Sequence, residues 1–144
     1  MRSFTVPAVL AAAAVLGTAA ASANENTGKR FRVALEGAVE VPVAGDPDGT
    51  GTAVLRINPG QGQLCYTLTV SGIAPATAAH IHEAPAGSAG PVVVGLAAPT
   101  SGSSSGCVSI DREEARDIIR NPENYYVNVH NREFPGGALR GQLG

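Results

Sequence analysis

The sequence predicts an all-β fold, an antiparallel Greek-key-like β-sandwich or barrel of about eight strands with one short helix near residues 111–120. Three observations lead to this prediction. Apolar and polar residues alternate in one short segment after another, as they do in strands with one buried face. Clusters of Gly, Pro, Asp, Asn and Ser separate these segments. Only one stretch has apolar residues at helical spacing.

The first 23 residues predict export. Arg2 precedes an alanine-rich apolar run over residues 6–21, and "ASA" at 21–23 has the small-x-small form of a signal-peptidase site. We therefore interpret residues 1–23 as a signal peptide cleaved after Ala23, and the protein as secreted or extracellular. An uncleaved anchor helix is the alternative, and the Pro and Gly within the run disfavour it.

The mature chain is predicted to be a short disordered leader at residues 24–29 followed by a single domain at 30–144. Without Arg2 it has nine basic and 12 acidic residues, a formal net charge of -3. It has no Trp and no basic patch, which disfavours nucleic acid as a partner. No later apolar run is long enough to cross a membrane, so no transmembrane segment is expected after signal cleavage.

Eight segments have the strand pattern. In QLCYTLTV, for example, Leu64, Tyr66, Leu68 and Val70 share one face, and Cys65 lies on the other. In chain order the eight are FRVALEG (31–37), TAVLRIN (52–58), QLCYTLTV (63–70), AHIHEA (79–84), PVVVGL (91–96), GCVSI (106–110), YYVNVH (125–130) and ALRGQL (138–143). The segment APTSGSSSG (98–106) is interpreted as a loop.

The helix is predicted from DREEARDIIRNPE. Asp111 is placed to cap its first turn with Glu114 at the third helical position, and Pro122 follows its end. Its apolar stripe consists of Ala115, Ile118 and Ile119.

Two cysteines, Cys65 and Cys107, are both expected on outward strand faces. In an exported chain an even count favours a disulfide, here with Cα atoms about 4.4–6.8 Å apart. The bond is expected to tie the serine-rich loop to the sheet. A pair of soft metal ligands is the alternative.

All three histidines of the chain lie in two of the predicted strands. Ile81 takes the core face of AHIHEA, so His80 and His82 share the other face with Cα atoms about 7 Å apart. His130 likewise lies opposite the core face of its strand. Two imidazoles on one strand and a third from a neighbour can bind one copper or zinc ion, provided that the two strands are adjacent.

A structural role is the alternative for these histidines, because imidazoles on strands also hydrogen-bond to loops and backbone carbonyls. Residue patterns alone leave the two interpretations open. No nucleophile elbow or paired carboxylate set indicates a hydrolase.

Four segments together resemble the CHRD domain, the module repeated in chordin and found singly in secreted bacterial proteins. They are LEGAVEVPV, LCYTLTVSGI, AHIHEAPAGSAGPVVVGL and YYVNVHNREFPGGALRGQL, and the resemblance extends from Phe31 to Leu143. It implies a secreted, non-enzymatic binding or structural module whose extracellular partner is unknown. The family pattern has a second Pro directly after EVP, and this chain has Val43 at that position.

A more distant resemblance, to copper-zinc superoxide dismutase, rests on HIH, NVH and GGALRG occurring in that enzyme's order. It implies copper ligands at His80, His82 and His130, with Arg140 guiding an anion toward the metal. The bridging histidine and the zinc ligands of that enzyme have no counterpart. An extracellular copper-binding protein is therefore the alternative function, and whether it is also an enzyme stays open, with a non-enzymatic role favoured.

Overall fold

A computed structural model describes residues 28–144. The predicted signal peptide, its cleavage after Ala23 and most of the predicted leader lie outside this range. The first strand begins at Lys29, one residue before the predicted domain boundary. Among the described residues, no helix has both the length and the apolar character needed to cross a membrane.

Eight strands, one α-helix and one 3-10 turn form the domain. In chain order they are β1 (Lys29–Glu36), β2 (Thr50–Asn58), β3 (Gln63–Ser71), β4 (Ala76–Glu83), β5 (Val92–Leu96), β6 (Ser103–Ser109), α1 (Arg112–Arg120), a 3-10 turn (Pro122–Asn124), β7 (Tyr125–Asn131) and β8 (Leu139–Gln142). The predicted all-β class with one short helix is confirmed.

All neighbouring strands pair antiparallel in one sheet of order β5-β4-β7-β8-β1-β2-β3-β6. The sheet curls into a nearly closed barrel. Just after β5, Ala97 N–H donates to the hydroxyl of Tyr66 on β3 (2.8 Å), and its carbonyl accepts from the hydroxyl of Ser104 on the edge strand β6 (2.7 Å). The β4–β7 and β3–β6 pairs join strands that are distant in sequence, as in Greek-key connections.

The core inside the barrel consists of the residues that the apolar–polar alternation places on the buried faces of the strands. Phe31, Val33 and Leu35 of β1 are buried while their polar neighbours are exposed. The helix closes over the same core with Ala115 and Ile118, and Ile119 packs beside them. Its cap is the predicted one, since the Asp111 carboxylate accepts from the N–H groups of Glu113 (2.8 Å) and Glu114 (3.2 Å).

Cys65 and Cys107 form the predicted disulfide. They are direct partners in the β3–β6 register, and their Cα atoms are 3.9 Å apart, below the predicted range. The serine-rich segment was only partly the predicted loop, because Ser103–Gly106 already belong to β6 and pair with β3. Backbone pairing forms this strand without apolar side chains, which is why alternation missed it.

Candidate metal centre

The sheet places the strands of the three histidines side by side. β4 pairs with β7 so that His80 lies opposite Asn128, Ala78 opposite His130 and His82 opposite Tyr126. All of these side chains are on the outer face of the barrel, since their alternating neighbours Ile81, Val127 and Val129 are fully buried inside it. The adjacency that a shared site requires is therefore present.

The three imidazoles converge. His80 Nδ1 lies 3.1 Å from His130 Nε2, and one ring nitrogen from each of the three lies within 4.8 Å of the others. Two nitrogens bound to one tetrahedral ion at 2.0–2.1 Å are about 3.4 Å apart. The His80–His130 pair has nearly this spacing. In the metal-free protein this contact is a hydrogen bond: His130 Nε2 accepts, so His80 Nδ1 carries the proton that a bound ion would displace.

Backbone carbonyls hold two of the rings in place. His82 Nδ1 lies 2.9 Å from the Gly90 carbonyl and His130 Nδ1 lies 3.0 Å from the Pro135 carbonyl. A carbonyl only accepts, so both Nδ1 atoms carry the proton and both Nε2 atoms present a lone pair in the neutral ring. Metal-bound histidines are usually oriented by this kind of contact.

His82 is the buried member of the cluster. Its side chain faces outward from the barrel but is only 9% exposed, because the loop 84–91 that supplies the Gly90 carbonyl folds back beside it. Its Nε2 is buried and has no hydrogen-bond partner among the described residues. Leaving a buried acceptor unpaired costs about 1–3 kcal/mol. A bound cation would satisfy it.

Arg140 lies near the cluster without facing it directly. β7 runs between β4 and β8, and Tyr126 of β7 stacks on His82 (centroids 4.8 Å apart) while the Arg140 guanidinium carbon lies 3.4 Å from the Tyr126 ring centroid. Arg140 is 2% exposed and donates to the carbonyls of Ser88 (2.8 Å) and Pro85 (3.1 Å). Its predicted role toward an anion stays a prediction.

Sequence reasoning missed the residues that support the cluster. Nothing in the pattern YYVNVH marks Tyr126 as part of a site. In the structure its ring stacks on His82, and its hydroxyl accepts a hydrogen bond from Gly90 N–H (3.3 Å). Asn128, on the same outer face, is 2% exposed and donates to the Glu40 carboxylate (3.3 Å). Alternation did contain the signal, since Tyr126, Asn128 and His130 share the face opposite Val127 and Val129.

The cluster disfavours protonation. Burial lowers the pKa of His80, and the neighbouring His130 and His82 lower it further. Burial also lowers the pKa of His130, with the Pro135 carbonyl opposing the effect in part and His82 adding to it. Both rings therefore stay neutral to a lower pH than a free histidine does. A neutral ring can donate a lone pair to a metal ion.

The metal-free protein should accordingly lose stability as the pH falls below about 6.5, the ordinary histidine pKa. The unfolded chain takes up protons there before the folded chain does, so the free energy of unfolding falls as pH falls toward the lowered folded pKa values. Urea midpoints measured at about pH 7.5 and 5.5 test this. The double variant His80→Gln/His130→Gln should show a smaller decline, and an equal decline would contradict the assignment.

The CHRD domain family model matches residues 31–143, a range that contains the three histidines, Arg140 and both cysteines. Comparisons with curated proteins and with solved structures found no match.

Proposed function

The chain belongs to the CHRD domain family, whose members are modules of a secreted, binding or structural type, and from this premise we propose that it is an exported copper-binding module. The proposed ligands are His80, His82 and His130. Export fits the disulfide, since such bonds persist in oxidising compartments.

One observation supports the proposal most strongly, the unpartnered Nε2 of His82. A histidine that only fixed a loop would need one nitrogen, and His82 uses Nδ1 for that purpose with Gly90. Its second nitrogen is buried without a partner, and one ring nitrogen of each histidine lies within 4.8 Å of the others. A buried lone pair needs a hydrogen-bond donor or a cation, and no described residue supplies a donor to this one.

The donor set favours copper. Three neutral imidazoles suit copper and zinc, and affinities of nitrogen sites for divalent metals are highest for Cu²⁺. No fourth histidine, cysteine or carboxylate joins the cluster within residues 28–144, so the ion would keep a position for water. His80 and His130 are partly exposed and provide the entry path.

Copper uptake by the metal-free protein tests the proposal. Isothermal titration should give about one equivalent of tightly bound Cu²⁺. His82→Ala should lower the affinity about 100-fold or more, because even the groups that orient a ligand are worth about 10–100-fold. The chain has only three histidines, so the triple alanine variant is a complete control. No uptake, or uptake unchanged in that variant, would end the proposal.

A structural role for the histidines is the second candidate, favoured by the contacts of His82 and His130 with loop carbonyls. In that case the triple alanine variant loses stability and the parent protein binds no metal. The same titration, run beside urea unfolding, therefore separates the two functions.

The proposal concerns binding and not turnover. Arg140, the residue placed by resemblance to guide an anion, has its N–H groups directed to Ser88, Pro85 and Gln142, and Tyr126 lies between it and His82.

A further inference from the structure

The disulfide lies in a cross-strand row of residues on the outer face of the sheet, away from the histidines. The row begins on β1 with Arg30, the register partner of Arg56. Arg56 of β2 is the register partner of Cys65 on β3, and Cys65 is the register partner of Cys107 on β6. All three line one groove of about 520 Å³. The order of residues across these three strands is therefore Arg56, Cys65, Cys107.

The far end of this row is open. β6 is the last strand in the sheet order, so no described strand pairs with it on the side of Cys107 away from β3. Cys107 is exposed and Gly106 beside it has no side chain, whereas Cys65 is half-buried between two strands. A thiolate attacks a disulfide in line with the S–S bond. Attack on Cys107 comes over the open edge of the sheet, while attack on Cys65 has to come over β2.

The residue next to Cys65 in the row, Arg56, is a cation without a partner. Arg56 is half-buried, and the structure gives its side chain no hydrogen bond or ion pair to any described residue. A neighbouring guanidinium favours the thiolate form of a cysteine. Arg56 is thus placed to stabilise negative charge on Cys65.

We propose that the Cys65–Cys107 bond is a directional site for thiol–disulfide exchange with small extracellular thiols. The thiolate of the incoming molecule bonds to Cys107 Sγ, the S–S bond breaks, and its electron pair leaves on Cys65 Sγ beside Arg56. A second equivalent of thiol then displaces Cys107 from the mixed disulfide. The protein disulfide is reduced to two thiols, and two small thiols are oxidised to one disulfide.

The fold allows this reaction without unfolding. Both sulfurs project from the outer face, while Leu64, Tyr66 and Val108 beside them pack into or against the core. β3 and β6 remain joined by backbone pairing from Gln63–Ser109 to Thr69–Ser103. Exchange at this site is therefore expected in the native state, and the histidine cluster on β4 and β7 takes no part in it.

The site of attack is measured by trapping. The native protein is treated with 2-mercaptoethanol, quenched with iodoacetamide and peptide-mapped by mass spectrometry. The mixed disulfide should be found on Cys107 in about tenfold or greater excess over Cys65. A mixed disulfide that forms on Cys65, or equally on both cysteines, overturns the proposal.

The role of Arg56 is measured by the rate of the same reaction. Arg56→Gln should slow it about threefold to tenfold, because a leaving thiol of higher pKa leaves more slowly. Arg56→Lys should restore most of the rate, and Arg32→Gln, on the exposed face of β1, should leave it unchanged. A rate that is the same in Arg56→Gln, or reduction that occurs only when urea unfolds the protein, overturns the proposal.

Discussion

Replacing Arg140 with methionine is expected to lower the free energy of unfolding by about 3–5 kcal/mol. The side chain is 2% exposed, and its N–H groups satisfy the carbonyls of Ser88 and Pro85 and the side chain of Gln142. Methionine has a similar length but leaves these acceptors without a donor. It also removes the positive charge that lowers the pKa of the buried Glu40 carboxyl, a pKa that burial raises.

Urea unfolding monitored by circular dichroism measures this effect. Arg32→Met is the matched control, because Arg32 is exposed on the outer face of β1, and it should change stability by less than about 0.5 kcal/mol. An Arg140→Met loss below about 1 kcal/mol would show that these contacts contribute little.

Gly90→Ala should impair both the fold and the proposed metal site. A Cβ at position 90 would lie 1.9 Å from the Glu83 carbonyl oxygen and 2.8 Å from the Ala84 Cβ, so the loop has to move. Overpacking of this kind costs about 1–3 kcal/mol. The same movement takes the Gly90 carbonyl away from His82 Nδ1, and copper affinity should fall about 10–100-fold.

Gly136→Ala is the control for this substitution. Gly136 lies in the other loop beside the cluster, between His130 and β8, and nothing lies within 4 Å of the Cβ it would gain. Its stability and copper affinity should match the parent protein. If Gly90→Ala binds copper as tightly as Gly136→Ala does, the Gly90 carbonyl does not orient His82.

The sequence predicted the strands wherever one face is buried. β1 is the clearest case, because Phe31, Val33 and Leu35 are buried and Arg32 and Ala34 are exposed. The pattern had no information about the first half of β6, which has serines and a glycine but no apolar side chain and is ordered by pairing with β3. Strand pairing of this kind depends on the backbone of a neighbouring strand, so it produces no periodic pattern in the sequence.

For the candidate site, the sequence placed all three histidines on the correct face but could not show that their strands are neighbours. It also did not show that His82 is covered on that face. The covering loop is positioned by Gln142, which donates to the Ala84 carbonyl (2.7 Å), and by Arg140. These contacts link residues that are more than 50 positions apart, which alternation along one strand cannot indicate.

The pairing of β4 with β7 also determines when the chain could acquire a metal. The two nearest imidazoles, His80 and His130, are separated by 50 residues, and a helix and two strands form between them. Contacts this distant in sequence are entropically costly and form late, when the sheet closes. If the chain is exported as proposed, it would meet copper with its histidines dispersed, and specific uptake would follow folding. Bound copper would then stabilise the folded protein. It would add about 2.7 kcal/mol to the free energy of unfolding at a free copper concentration 100 times the dissociation constant.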